Sequence, residues 1–155
     1  MKIIGVLFAA VLSVAWMPTG ATADDRGSPE KPQSASLEAG RKAVDAKDFK
    51  SAVGHLIKAA KETPNDADVH NLLGYSYRHQ GQFEKSMEHY RLALKLDPNH
   101  RGAHEYIGEL YLQMDQLANA EKQMEALSRA CPWFGRCRER EELKAAIEKH
   151  KAAKK

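Results

Sequence analysis

The sequence predicts an all-α fold: a right-handed superhelix of three helix-turn-helix repeats, closed by a C-terminal capping helix. Three observations lead there. Gly40, Gly74 and Gly108 are spaced by 34 residues, and Pro64, Pro98 and Pro132 keep the same interval in a second phase. Within each interval, apolar residues recur at the i, i+3, i+4, i+7 spacing of two amphipathic helices. After the last interval comes "GRCREREELKAAIEKHKAAKK", where Leu143, Ala146 and Ile147 make a narrow apolar stripe on a segment otherwise almost entirely charged. A fixed period decides the fold, because one hairpin cannot bury its apolar face alone. Stacked neighbours bury it together, and the last one needs a cap with a polar outer side.

The first residues read differently. Lys2 precedes an uncharged run from Ile3 to Met17, followed by Pro18, Gly20 and the triplet Ala21-Thr22-Ala23. This is the layout of a secretory signal peptide with an A-x-A cleavage site. The run is shorter than the roughly 20 apolar residues a bilayer span needs, so cleavage after Ala23 is expected, with retention as a membrane anchor as the alternative. No cysteine adjoins the cut to carry a lipid, and no twin-arginine pair precedes the run. The expected location is periplasmic or secreted. Cleavage leaves 132 residues with 23 basic and 21 acidic side chains, a net charge of +2. That balance argues against nucleic acid as the main partner. Residues 24–33, "DDRGSPEKPQ", are charged and proline-containing with no apolar period, and read as a flexible leader. One domain is expected from 34 to 155.

The repeat units fall at 33–66, 67–100 and 101–134. In the middle unit the two apolar faces are Val69, Leu72, Leu73, Tyr77 and then Phe83, Met87, Tyr90, Ala93, Leu94. Gly81 between them suits the left-handed residue that ends a helix. Phe49, Phe83 and Leu117 share one repeat position; so do Leu56, Tyr90 and Met124, and Ala59, Ala93 and Leu127. Gly74 and Gly108 allow paired helices to approach closely, an advantage that must offset about 1 kcal/mol of helix propensity each. Each proline ends a second helix and turns the chain into the next unit. The capping helix is expected over 135–151.

These units resemble the tetratricopeptide repeat family, whose pattern is W-x2-L-G-x2-Y, then A-x3-F, then P over 34 residues. "HNLLGYSY" supplies Leu73, Gly74 and Tyr77, with Ser86 and Tyr90 in place of Ala and Phe, and Pro98 at the close. "HEYIGELY" supplies Ile107, Gly108 and Tyr111, followed by Ala120, Met124 and Pro132. The first unit is thinner, with Gly40, Ala52, Leu56, Ala59 and Pro64, and the usual Trp is replaced throughout by Ser36, His70 and His104. The resemblance implies that the first helix of each unit lines a concave face where extended or helical peptides bind. By repeat position it selects Arg41 and Val44, then Asn71, Tyr75, Arg78 and His79, then Glu105, Glu109, Leu112 and Gln113. Such a face would suit a mixed-charge or polar segment with an apolar anchor. The Lys/Asn/Arg clamp of the chaperone-binding subfamily is incomplete here, so a C-terminal carboxylate is not the expected ligand.

The only cysteines stand in "CPWFGRC", residues 131–137, at the joint between the third unit and the cap. Five residues intervene, against two in a redox C-x-x-C, and no second cysteine pair or neighbouring histidine pair completes a zinc site. In an exported chain a structural Cys131–Cys137 disulfide is expected, with free thiols or redox or metal chemistry as alternatives. Trp133 and Phe134 are expected to cover the joint as core aromatics.

His100 and His104 are four apart, but His100 follows Pro98-Asn99, ahead of the helix, and no third ligand is evident. His70 and His104 occupy the Trp position and are expected to pack. His55 and His89 share a second-helix position and are expected in solvent, as are Glu105 and Glu109. No nucleophile with a base, phosphate-cradling loop or marked carboxylate pair occurs. No cofactor or metal is therefore expected, and the expected role is non-enzymatic: an adaptor binding a peptide segment of another exported or membrane protein. The alternatives are a self-associating scaffold and, behind it, a thiol-redox accessory protein.

Overall fold

In the computed structural model, which describes residues 34–154, three helical hairpins follow one another: α1 (Ala35–Asp45) with α2 (Phe49–Glu62), α3 (Ala67–His79) with α4 (Phe83–Leu96), and α5 (Arg101–Gln113) with α6 (Leu117–Ala130). A seventh helix, α7 (Arg138–Ala153), packs on α5 and α6. No strand occurs among the described residues. The signal peptide expected at 1–23 and the leader at 24–33 lie outside the described residues. No described helix is long and apolar enough to cross a membrane.

Helix ends follow local chemistry. Ser34, Asp48 and Asp66 each accept from a backbone amide of the first turn of α1, α2 and α3, satisfying a donor that has no partner within the helix. His100 caps α5 with Nδ1, accepting from Ala103 N at 3.1 Å, which leaves Nε2 to donate to Asp68 at 3.0 Å. It is a cap, ahead of the helix as the sequence indicated. The turns inside the three hairpins share one left-handed residue at one repeat position: Lys47 at φ 58°, Gly81 at 72° and Asp115 at 58°.

The core is built around the periodic glycines. A Cβ on Gly40 would lie 2.6 Å from Leu56 Cδ2, and one on Gly74 would lie 2.5 Å from the Tyr90 ring. Each of these two hairpins closes where its first helix lacks a side chain. The third is different: Gly108 faces Leu143 of α7, at 2.6 Å, and not Met124. Three clusters of buried side chains run along the stack. The first spans Leu37 to Tyr77, the second joins Tyr90 with Ile107 and Leu110, and the third holds Ala120, Leu127, Cys131, Cys137, Leu143 and Ile147.

His70 and His104 occupy equivalent places: their Nε2 atoms lie 2.9 and 3.0 Å from the carbonyls of Pro64 and Pro98, six residues upstream. His55 and His89 are both half-buried, contrary to the exposure expected. The His89 ring stacks on His70 and Tyr77, and burial lowers its pKa.

Cys131 and Cys137 form the expected disulfide, with Cα atoms 5.9 Å apart. Closing so short a loop removes about 2 kcal/mol of unfolded-state entropy. α7 begins at Arg138, later than the expected 135, because the bridged loop occupies 131–137 and Cys137 is the N-cap residue. One expectation fails here. Trp133 is 94% and Phe134 68% exposed. Both cysteines are drawn into the core, so the residues between them have no slack with which to fold back, and the loop tip projects into solvent. At its far end α7 is tied to the α5–α6 turn, where Asp115 meets His150 Nε2 at 3.1 Å and Lys154 Nζ at 2.8 Å.

Candidate functional site

The repeat register sets the site. On α3 the positions 71, 75, 78 and 79 share one helical face, and the same positions on α5 carry Glu105, Glu109, Leu112 and Gln113. The two helices run side by side, and their charges meet across the gap. Arg78 donates to Glu109 at 2.7 Å, with side chains only 5% and 28% exposed. The guanidinium also lies 5.4 Å from the Tyr75 ring centroid and 5.7 Å from that of Tyr106, within range for a cation–π contact.

Around this pair runs a ladder of rings. Phe49 stacks on His79 at 4.4 Å, His79 meets Tyr75 at 4.4 Å, and Tyr75 meets Tyr106 at 4.9 Å. Burial raises the Tyr75 pKa and pushes Tyr106 up to about 12. Burial, followed by the charge on Arg78, lowers the His79 pKa. Beside the ladder opens a groove of about 400 Å³, walled by Arg78, Glu109, Leu112 and Gln113 on one side and by Ala146, Lys149, His150 and Ala153 of α7 on the other. The capping helix is therefore also a wall of this groove.

A second, more polar hollow of about 370 Å³ sits nearer the helix starts and takes in Asp68, Asn71, His100, Glu105 and Tyr106. Asp68 is held at a pKa of about 2, first by the hydrogen bond from His100 and then by that from Arg41. The Asn71 side chain is buried and its Oδ1 has no hydrogen-bond partner. Glu105 corrects an expectation. It is 3% exposed, and its pKa is raised to about 9, first by burial and then by the neighbouring Glu142 of α7. It therefore carries its proton at neutral pH. The cap covers it, which its place on a repeat helix did not foretell.

Of the ten groove positions, the structure gathers Tyr75, Arg78, His79, Glu109, Leu112 and Gln113 around the ladder and its groove. Asn71 and Glu105 go to the polar hollow, and Arg41 binds Asp68 at its edge, at 3.1 Å. Val44 packs on the first core cluster. The mixed-charge face becomes a largely self-neutralised one, since Glu109 is spent on Arg78 and Glu105 is protonated. Sequence reasoning missed Phe49, Tyr106 and the α7 wall. Phe49 was visible only as a periodic core position, Tyr106 sits one step from the core residue Ile107, and the wall depends on how α7 docks. Among the described residues, no three His, Cys, Asp or Glu side chains converge as a metal site.

Residues 67–100 match the family model of the tetratricopeptide repeat. The solved structures agree on the fold. The TPR2B-domain:pHsp70 complex of yeast Sti1 superposes with a TM-score of 0.69 at 16% identity, covering 76% of this chain and 94% of that one. The first TPR of Spaghetti (RPAP3), bound to the HSP90 peptide SRMEEVD, gives 0.64 at 18% identity, covering 76% and 89%. MamA from Desulfovibrio magneticus RS-1 gives 0.59 at 26% identity over 61% of this chain and 54% of its own. No curated protein matches. The chain thus folds as a tetratricopeptide superhelix, with the middle unit matching the family's repeat directly.

Proposed function

We propose that this protein is a non-enzymatic, exported adaptor that holds a peptide segment of a partner protein in the groove between α3, α5 and α7. The observation that carries this reading is the ring ladder of Phe49, His79, Tyr75 and Tyr106 beside a groove of about 400 Å³. A groove of this size falls within the range of ligand-binding clefts, and Leu112, Ala146 and Ala153 give it apolar walls. The intramolecular Arg78–Glu109 pair fixes the rings without leaving a charge to recruit one, so an aromatic or aliphatic anchor is the favoured occupant. Lys149 on the rim suits an acidic residue beside that anchor. A rigid helical stack lowers the ordering cost of binding. Two of the solved neighbours are complexes with chaperone segments, which supports peptide binding as a use of the fold. Export is supported by the signal-like first residues and by the disulfide, which belongs to oxidising compartments.

The test is crosslinking and pull-down of the native protein against a His79→Glu/Gln113→Glu/Lys149→Glu variant. Gln113 and Lys149 line the groove and His79 stands exposed in the ring ladder, so the Arg78–Glu109 pair stays intact; breaking that pair would strand a buried charge. A partner lost by the variant, with unchanged helicity and thermal stability, supports the groove. Equal recovery by both proteins refutes it.

A further inference from the structure

The tip of the Cys131–Cys137 loop takes no part in the groove. Trp133 and Phe134 stand 94% and 68% exposed, their rings edge to face with centroids 5.4 Å apart. Single exposed apolar side chains are ordinary on a protein surface. Two adjacent aromatic rings at the apex of a loop held at both ends by a disulfide are a different feature, because the backbone is fixed in the arrangement that presents them. Gly135, at φ 90°, completes the turn behind them.

The charges flanking the rings are mostly basic. Between positions 129 and 140 stand Arg129, Arg136, Arg138 and Arg140, with Glu139 as the only acid. Glu139 is turned inward, 16% exposed and 3.8 Å from Arg101. Arg138 and Arg140 have neighbours on α7, Glu142 at 3.9 Å and Glu141 at 3.3 Å. Arg129 and Arg136 are exposed and make no ion pair among the described residues.

We infer that Trp133 and Phe134 form an interfacial anchor that inserts into an anionic lipid surface, with Arg129 and Arg136 at the level of the headgroups. Trp is enriched at the membrane interface because its ring is apolar and its N–H is polar. Apolar side chains carried by a basic surface bind there through buried area plus attraction to anionic lipid. The rings project from a convex tip and line no pocket, which suits a deformable lipid surface better than a fixed protein one. The disulfide means that little ordering remains to be done on contact. Two rings make a weak anchor, so attachment is reversible and falls as salt screens the arginines.

The experiment uses residues 24–155. Among the described residues the buried core runs from Leu37 to Ile147, within the compact unit 32–155; the piece avoids the apolar run at 3–17, and its helicity and cooperative melting are checked first. Trp133 is its single tryptophan, the other being Trp16. The piece is titrated with vesicles of phosphatidylcholine with and without phosphatidylglycerol. With the anionic vesicles, Trp133 emission should shift to the blue and be quenched by brominated acyl chains, and binding should fall with salt. Trp133→Ser/Phe134→Ser should weaken binding about tenfold or more with unchanged helicity, and Arg129→Gln/Arg136→Gln should flatten the salt dependence. Equal binding by the Ser variant, or an unshifted Trp133 spectrum on bound protein, overturns the assignment. So does a wild type that ignores both vesicles yet crosslinks to a protein through a photoreactive group at position 134, which would make the tip a protein-docking element.

Discussion

Replacing a glycine inside a helix by alanine ordinarily stabilises it, by roughly 0.5–1 kcal/mol. Gly108→Ala should do the opposite. The new Cβ would lie 2.6 and 2.7 Å from the two methyl carbons of Leu143, more than 1 Å inside the ~4 Å at which carbon atoms pack. Leu143 is fully buried and shares its cluster with Leu127, Cys137 and Ile147, so it has no free space into which to swing. Overpacking of this kind costs about 1–3 kcal/mol. Set against the propensity gain, the net is a loss of about 0–2.5 kcal/mol, or up to roughly 10 °C in melting temperature for a domain of this size. Gly54 supplies the control, for it lies within α2 and a Cβ there meets nothing within 4 Å. Gly54→Ala should therefore raise the melting temperature by a few degrees. Thermal denaturation followed by circular dichroism compares the two, and hydrogen exchange locates the change. With Gly108→Ala, amides of α7 should exchange faster while those of α3 and α4 keep their protection. If Gly108→Ala stabilises the protein as much as Gly54→Ala, the notch is not packed as described and the reasoning fails.

Two further outcomes follow from the same joint. Cys137→Ser should cost about 2 kcal/mol, the loop-closure entropy of the short ring, and should speed exchange in α7 ahead of the repeats; uniform loosening across all seven helices would contradict the cap's separate role. Glu105 makes stability depend on pH. Its carboxyl titrates near 9 when folded against a usual value of 4.5, so between those limits the folded chain holds a proton that the unfolded chain has released. Stability should therefore fall as pH rises through that window. Glu105→Gln should flatten the dependence in urea titrations across the range, and an unchanged slope would refute the buried carboxyl.

The period made the hairpins legible because glycine and proline act locally: one permits close approach, the other stops a helix. The left-handed turn was readable at Gly81, where glycine advertises it, and silent at Lys47 and Asp115, where a non-glycine residue takes the same turn at the same repeat position. Groove membership could be carried along the repeat register, but pairing could not. Nothing in the chain order says that Arg78 meets Glu109, or that α7 covers Glu105 so fully that it keeps a proton. Trp133 and Phe134 were misplaced for a related reason. Composition assigns large aromatic rings to the interior, whereas the bridge on either side of them leaves no chain length to get there.

The notch beside Gly108 also bears on whether the repeats could be exchanged. Gly40 and Gly74 are filled from within their own hairpins by Leu56 and Tyr90, while Gly108 is filled by Leu143, from outside its hairpin. The first two units are self-sufficient at this point and the third is not. Transplanted into the middle of a longer array, the third hairpin would carry an empty notch, whereas the second could be duplicated with its own plug in place. Lengthening by copying should thus be tolerated upstream of α5, whereas the final hairpin needs Leu143 of its cap to fill its notch.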